Sequence, residues 1–245
     1  MQIPWWRLLF VFPPALVLLW FLWRWTDQAK SLVVASARML IQLVLIGYVL
    51  VWVFKVPHAT WVLGVLALMA GIAGWIALRP LKGNKGGLYL KALGSILVCA
   101  GGTLALVVFG VVQPEPWHDP RVVIPLAGMV FAGAMNQISL AAERYGAEYR
   151  RGSIHEEARA IALGASLIPL LNTFFAVGLV QLPGMMTGQI LAGADPLVAV
   201  RYQIMVMLML LGSGGLSAVV FLEWAGSDLQ RKSKPENADN LPNNY

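Results

Sequence analysis

Apolar residues run through this chain in long unbroken blocks, and polar or turn-forming residues separate them. The blocks fall at Trp5–Trp23, Met39–Phe54, Trp61–Leu78, Ala92–Val112, Val122–Ala142, Leu167–Leu182 and Leu197–Leu222. A helix needs about 20 apolar residues to cross the hydrocarbon of a bilayer. Each block therefore predicts a membrane-spanning helix, and the predicted fold class is an all-α integral membrane protein with about seven transmembrane helices.

Two blocks depart from a plain lipid-facing helix. The first carries Pro13 and Pro14 at mid-depth, where they remove backbone donors and predict a kink. The sixth holds only 16 residues, so it must start deep or be completed by another element. It runs directly into "LPGMMTGQILAGADP", Leu182 to Pro196, whose three glycines and two prolines exclude one straight helix. That stretch is too apolar for a solvated loop. It predicts a broken or re-entrant segment, 182–196, at the outer end of a path through the bundle.

Composition agrees with the pattern: 58% of residues are hydrophobic and 12% charged, and the mean hydropathy is +0.69. Seven spans nearly exhaust the 245 residues and leave no room for a separate catalytic domain. The net charge of +6 sits in short loops, so it reads as membrane topology and not as a nucleic-acid surface. Of the 18 Lys and Arg residues, all but Arg7, Lys55, Arg121 and Arg201 fall on one side. The positive-inside rule then predicts an outer N-terminus and a cytoplasmic C-terminus. The first block, flanked by tryptophans and without a small-residue cleavage site, reads as a retained span and not as a leader. Cys99, the single cysteine, lies in an apolar run and reads as a small buried residue. Residues 223–245 are polar and predict a disordered tail beyond a membrane domain at 1–222.

The inner loop 143–166 has helix grammar. Ser153 and Glu156 form a capping-box pattern, Gly164 is a stop signal, and Ile154, Ala158, Ile161 and Ala162 share one face. A surface helix lying on the bundle and a docking helix for a partner both fit this pattern.

Candidate chemistry is sparse. His58, His118 and His155 lie outside the apolar blocks, "HEEAR" lacks the second histidine of a zinc helix, and Ser213 in "GSGGLS" has no histidine in a span to act as its base. These absences argue against an enzyme, and the small residues around Ser213 suit close helix packing. Gly128, Ala132, Asn136 and Ser139 form a small and polar stripe. Asn136, Ser139, Asn172 and Thr173 must face protein or water, either as interhelical hydrogen bonds or as the wall of a substrate path. In the broken segment, Met185 and Met186 offer thioethers suited to soft metal ions, and Gln189 and Asp195 offer oxygens. The methionines equally suit gap filling.

The stretches "SARMLIQLVLIGYVL", "IPLAGMVFAGAMN", "EEARAIALGAS" and "VGLVQLPGMMTGQILAGADPLVAVRYQIMV" resemble the FetB-like permeases, a family of iron-export membrane subunits of ABC transporters that includes a plant aluminium-tolerance subunit. The resemblance runs from about Ser31 to Ser217 and is most specific in the "LPGMMTGQILAGADP" block. It implies a multi-pass permease in the inner (plasma) membrane, working as two copies with a cytoplasmic P-loop ATPase that binds the ATP and Mg. The chain itself has no G-x-x-x-x-G-K-[ST] loop and implies no cofactor of its own. The implied cargo is a metal ion, most often iron, moved outward; by their side-chain chemistry Met185, Met186 and Asp195 are the candidate ligands for it. The segment holding Glu156, Glu157, Leu163, Gly164 and Ala165 resembles the coupling motif that docks the ATPase. One departure stands out: the family carries about fifteen further residues after the "LGA" motif, whereas here "LGAS" leads at once into "LIPLLNTFFAVGLV". That deletion motivates the alternative of a non-transporting membrane scaffold or regulator.

Overall fold

A computed structural model of the chain describes residues 4–54, 58–81 and 86–233. Lys55, Lys82 and Lys85 of the charge count, and residues 234–245 of the expected tail, lie outside the described residues. Among the described residues seven helices are long and apolar enough to cross a membrane, as the block pattern predicts. The chain divides into two units, Met1–Val56 and Pro57–Tyr245.

The first unit is a pair of helices. A 3-10 turn, Trp5–Val11, leads into α1, Phe12–Trp25. Pro13 and Pro14 stand in the first turn of α1, near the middle of the span Trp6–Trp25, where 3-10 helix passes into α-helix. Just before them the Phe12 amide donates to the Leu9 carbonyl, so helical turns run continuously up to the prolines. Thr26 ends α1 by donating its hydroxyl to the Leu22 carbonyl at 3.0 Å, and α2 follows at Ala29–Val53. No residue of α1 is buried, so its apolar side chains are free to meet lipid.

The second unit holds α3 (Ala59–Ala77), α4 (Gly86–Val112), α5 (Pro120–Arg150), α6 (His155–Ala176), the short α7 (Gly184–Leu191) and α8 (Pro196–Ser233). The turns Ile96–Gly101 and Val107–Val112 of α4 are π-helical. Helix α5 is central and packs on α3, α6 and α8. Asp119 caps it by accepting the Arg121 amide at 2.9 Å, with Pro120 at its first position. Ala127, Ala134, Ile138, Ala141 and Ala142 are fully buried along it. Small side chains let the neighbouring backbones approach, which replaces the hydrophobic drive that lipid does not supply.

Three boundaries differ from the expectations. The stretch 143–166 is no loop: α5 continues to Arg150, a turn of four residues follows, and α6 begins at His155. The cap position is Ile154, with no side-chain cap, and not Ser153. Gly164 does not stop the helix, because α6 passes through it and through Pro169 to Ala176. The sixth span is therefore a full 22 residues, about 33 Å. Its expected end at Leu182 moves back because Val177 is already extended and Gly178 then turns the chain at φ +83°, a conformation open to glycine. Leu179, Val180 and Leu182 stay apolar while leaving the helix. The expected tail begins as helix, since α8 reaches Ser233.

Candidate functional site

Three helices of the second unit line an open cavity of about 330 Å³ whose wall includes Asn136 and Gln137 of α5, Pro169 and Thr173 of α6, and Leu210 of α8. Two glycines set its geometry. Gly133 and Gly214 face each other where α5 meets α8, and a Cβ at Gly214 would stand 2.9 Å from Cγ of Gln137. The missing side chain lets Gln137 lie flat over α8 at the cavity wall. Gln137 is 6% exposed, and its Oε1 has no hydrogen-bond partner. An unpaired buried acceptor costs about 1–3 kcal/mol. Thr173 donates its hydroxyl to the Pro169 carbonyl at 2.9 Å, which leaves its oxygen free to accept.

The structure brings together Asn136 and Thr173 of the sequence-predicted path. Ser139 is half-buried on α5, and Asn172 is exposed on α6; neither lines this cavity. Gln137, which the small-residue stripe passed over, is the residue the sequence reading missed. Its signal was an amide beside Asn136 in an otherwise apolar run.

The broken segment contains the helix α7 between a glycine turn and a second turn at Gly193, φ +96°. Met186 lines a second cavity of about 330 Å³ with Gln203 and Met207 of α8. Met185 and Gln189 are half-buried and are not among its lining residues. The Asp195 carboxylate caps α8, accepting the amides of Leu197 at 2.8 Å and Val198 at 3.4 Å. Among the described residues no group of three or more His, Cys, Asp or Glu side chains could hold a metal ion.

At the charged end, α5, α6 and α8 are tied together. The Tyr145 hydroxyl and Nδ1 of His155 lie 2.6 Å apart. The His155 ring packs so closely on Gly226 that a Cβ there would stand 2.7 Å from Cε1. Arg159 of α6 pairs with Glu223 of α8 at 2.6 Å, and Lys91 of α4 with Asp228 at 2.9 Å. The buried Glu148 carboxylate holds both Arg144, at 2.8 Å, and Arg151, at 3.0 Å. Glu156 and Glu157 are exposed in the first turn of α6. Leu163 and Ala165 are half-buried and Gly164 exposed, beyond the Arg159–Glu223 pair along the helix.

The chain matches the family described as "Uncharacterised protein family (UPF0014)" over residues 5–166 and 149–229. It belongs to that family. It is 37% identical over 216 residues to a UPF0014 membrane protein of Synechocystis, covering 80% of this chain and 82% of the relative. To the "Probable iron export permease protein FetB" of Escherichia coli it is 35% identical over 207 residues, with 78% of each chain covered. It is 32% identical over 213 residues to "Protein ALUMINUM SENSITIVE 3" of Arabidopsis thaliana, at 79% and 76% coverage. No solved structure matches the chain. The UPF0014 chain is thus a multi-pass membrane protein of a permease family.

The alignments also carry a length difference. Eighty per cent of 245 residues is 196, or 20 fewer than the 216 aligned positions with the Synechocystis relative. For FetB, 78% is 191, or 16 fewer than 207. The relatives carry residues that this chain lacks, and the two family matches meet within 149–166. That agrees with the deletion read after Ser166 and with the direct run of the "LGAS" segment into the sixth span.

Proposed function

We propose that this chain is the permease subunit of an ATP-driven metal-ion exporter, working as two copies with two copies of a separate cytoplasmic P-loop ATPase that binds ATP and Mg. One relative is named for iron export and another for aluminium sensitivity, and both names favour a metal ion, most often iron, as cargo. The lack of a P-loop in the sequence makes the motor a second protein. One chain offers one docking turn, and a motor that closes as a pair requires two.

The observation that carries the reading is α6 itself. A single helix has Glu156 and Glu157 exposed at one end and Thr173 on the cavity wall at the other. An ATPase seated on the acidic turn would move α6 as a lever against α5 and α8, opening the cavity to alternate sides. In this reading the charged end is cytoplasmic, as the Lys and Arg bias requires, and Met185, Met186 and Gln189 lie near the outer exit. A reporter fused after Tyr245 is expected to read cytoplasmic. Glu157→Lys is expected to abolish co-purification of the ATPase, and retained binding counts against the docking assignment.

A second reading is a non-transporting scaffold or regulator. The missing residues favour it, because they fall where relatives would place part of the coupling element. A chain that inserts and dimerises but recruits no ATPase would support it.

A further inference from the structure

We propose that the second cavity, between α6, α7 and α8, binds one glycerophospholipid: an acyl chain fills the cavity, Gln203 holds an ester carbonyl and Arg201 holds the phosphate. The site needs only the spans and is independent of the transport reading. Its apolar wall includes Phe174 of α6, Met186 of α7, and Ile204, Met207 and Leu208 of α8. Gln203 is the polar member of that wall. It is 7% exposed and has no side-chain hydrogen bond among the described residues. Both of its amide atoms nevertheless keep accessible surface, so the amide faces the cavity that Gln203 lines. A buried polar group left unpaired costs about 1–3 kcal/mol, and these amide hydrogens call for a ligand that brings an acceptor into an apolar space.

Depth selects the ligand. Along α8 no charged residue stands between Arg201 and Glu223. The 21 residues between them make about 32 Å of helix, close to the thickness of a bilayer's hydrocarbon layer, about 30 Å. Arg201 and Gln203 therefore stand at one boundary of that layer, on either side of Tyr202, a residue type enriched there. Lipid esters and phosphates lie at the same level. The wall residues Ile204 and Leu208 are exposed and open the cavity to the bilayer. Arg201 precedes them by three and seven residues, so it stands on their face of the helix. It is itself exposed and has no ion pair among the described residues. A guanidinium can hold a phosphate through two parallel hydrogen bonds. An acyl chain gains little by leaving lipid for an equally apolar wall, so the wall supplies fit and the two polar groups supply affinity. A chain seated there braces α7, through Met186, against α6 and α8.

Native mass spectrometry of the full-length chain in detergent, titrated with dioleoyl phosphatidylglycerol, tests the site. The expected result is saturable binding of one lipid per chain. Arg201→Gln is expected to weaken it about tenfold and to erase the preference over dioleoylglycerol, which has the same esters and no phosphate. Gln203→Leu removes an unpaired buried amide, so the variant should fold as well as wild type. It is expected to bind both lipids about fivefold more weakly, the size of one hydrogen bond. A diether analogue, which lacks the ester carbonyls, should bind wild type and Gln203→Leu alike. Leu208→Trp, at an exposed position, blocks the opening and is expected to abolish the saturable adduct. Unchanged affinity in either Arg201→Gln or Gln203→Leu, or displacement of the lipid by glycerol phosphate alone, overturns the proposal. So does a wild-type chain with no saturable adduct, including one found only as lipid-free dimers.

Discussion

Tyr145 and His155 face each other across the four-residue turn between α5 and α6, with the hydroxyl 2.6 Å from Nδ1. The contact fixes where α6 starts, and Gly226 leaves the space for it. A Cβ at Gly226 would come within 2.7 Å of the imidazole, so Gly226→Ala must push His155 off Tyr145. Overpacking of this kind costs about 1–3 kcal/mol. The expected result is a lower thermal midpoint in detergent, partly restored when His155→Ala is added. Equal destabilisation with and without His155→Ala would show that the two positions do not couple.

Gly164 separates the two descriptions of α6. As a helix stop it would need its glycine, but the structure sets it inside α6 with nothing within 4 Å of a Cβ. Gly164→Ala is then expected to stabilise the isolated chain by up to about 1 kcal/mol. A clear loss of stability would mean that the helix breaks there.

Asp195 can be tested as a cap against its alternative as a metal ligand. Asn caps helices as well as Asp, whereas Ala costs about 0.5–2 kcal/mol. Asp195→Asn should match wild type in stability and efflux, and Asp195→Ala should unfold earlier. Efflux lost in Asp195→Asn at full stability would assign the carboxylate to the cargo.

Much of the fold was legible because lipid imposes a simple rule: every span must be a long apolar helix. All seven blocks fall on helices for that reason. The boundaries were less legible where hydropathy and helix grammar diverge. Leu179, Val180 and Leu182 are as apolar as the span before them, and the extended Val177 and the turn at Gly178 take them out of it. Gly164 looks like a stop, yet no conformation there demands glycine, and packing carries the helix onward. Of the candidate site, Asn136 and Thr173 could be read from their cost in hydrocarbon. Gln137 could not, because its role depends on Gly133 and Gly214 meeting across two helices far apart in sequence. The clamp of His155 on Tyr145 and Gly226 was hidden for the same reason.

The most direct measurement is reconstitution of the chain with its P-loop ATPase in sealed proteoliposomes, following ATP hydrolysis and ferrous iron movement together. The account predicts hydrolysis that rises with iron, iron carried away from the ATPase face, and loss of both with Glu157→Lys. A chain that inserts correctly yet neither binds the ATPase nor moves iron would contradict it and leave the scaffold.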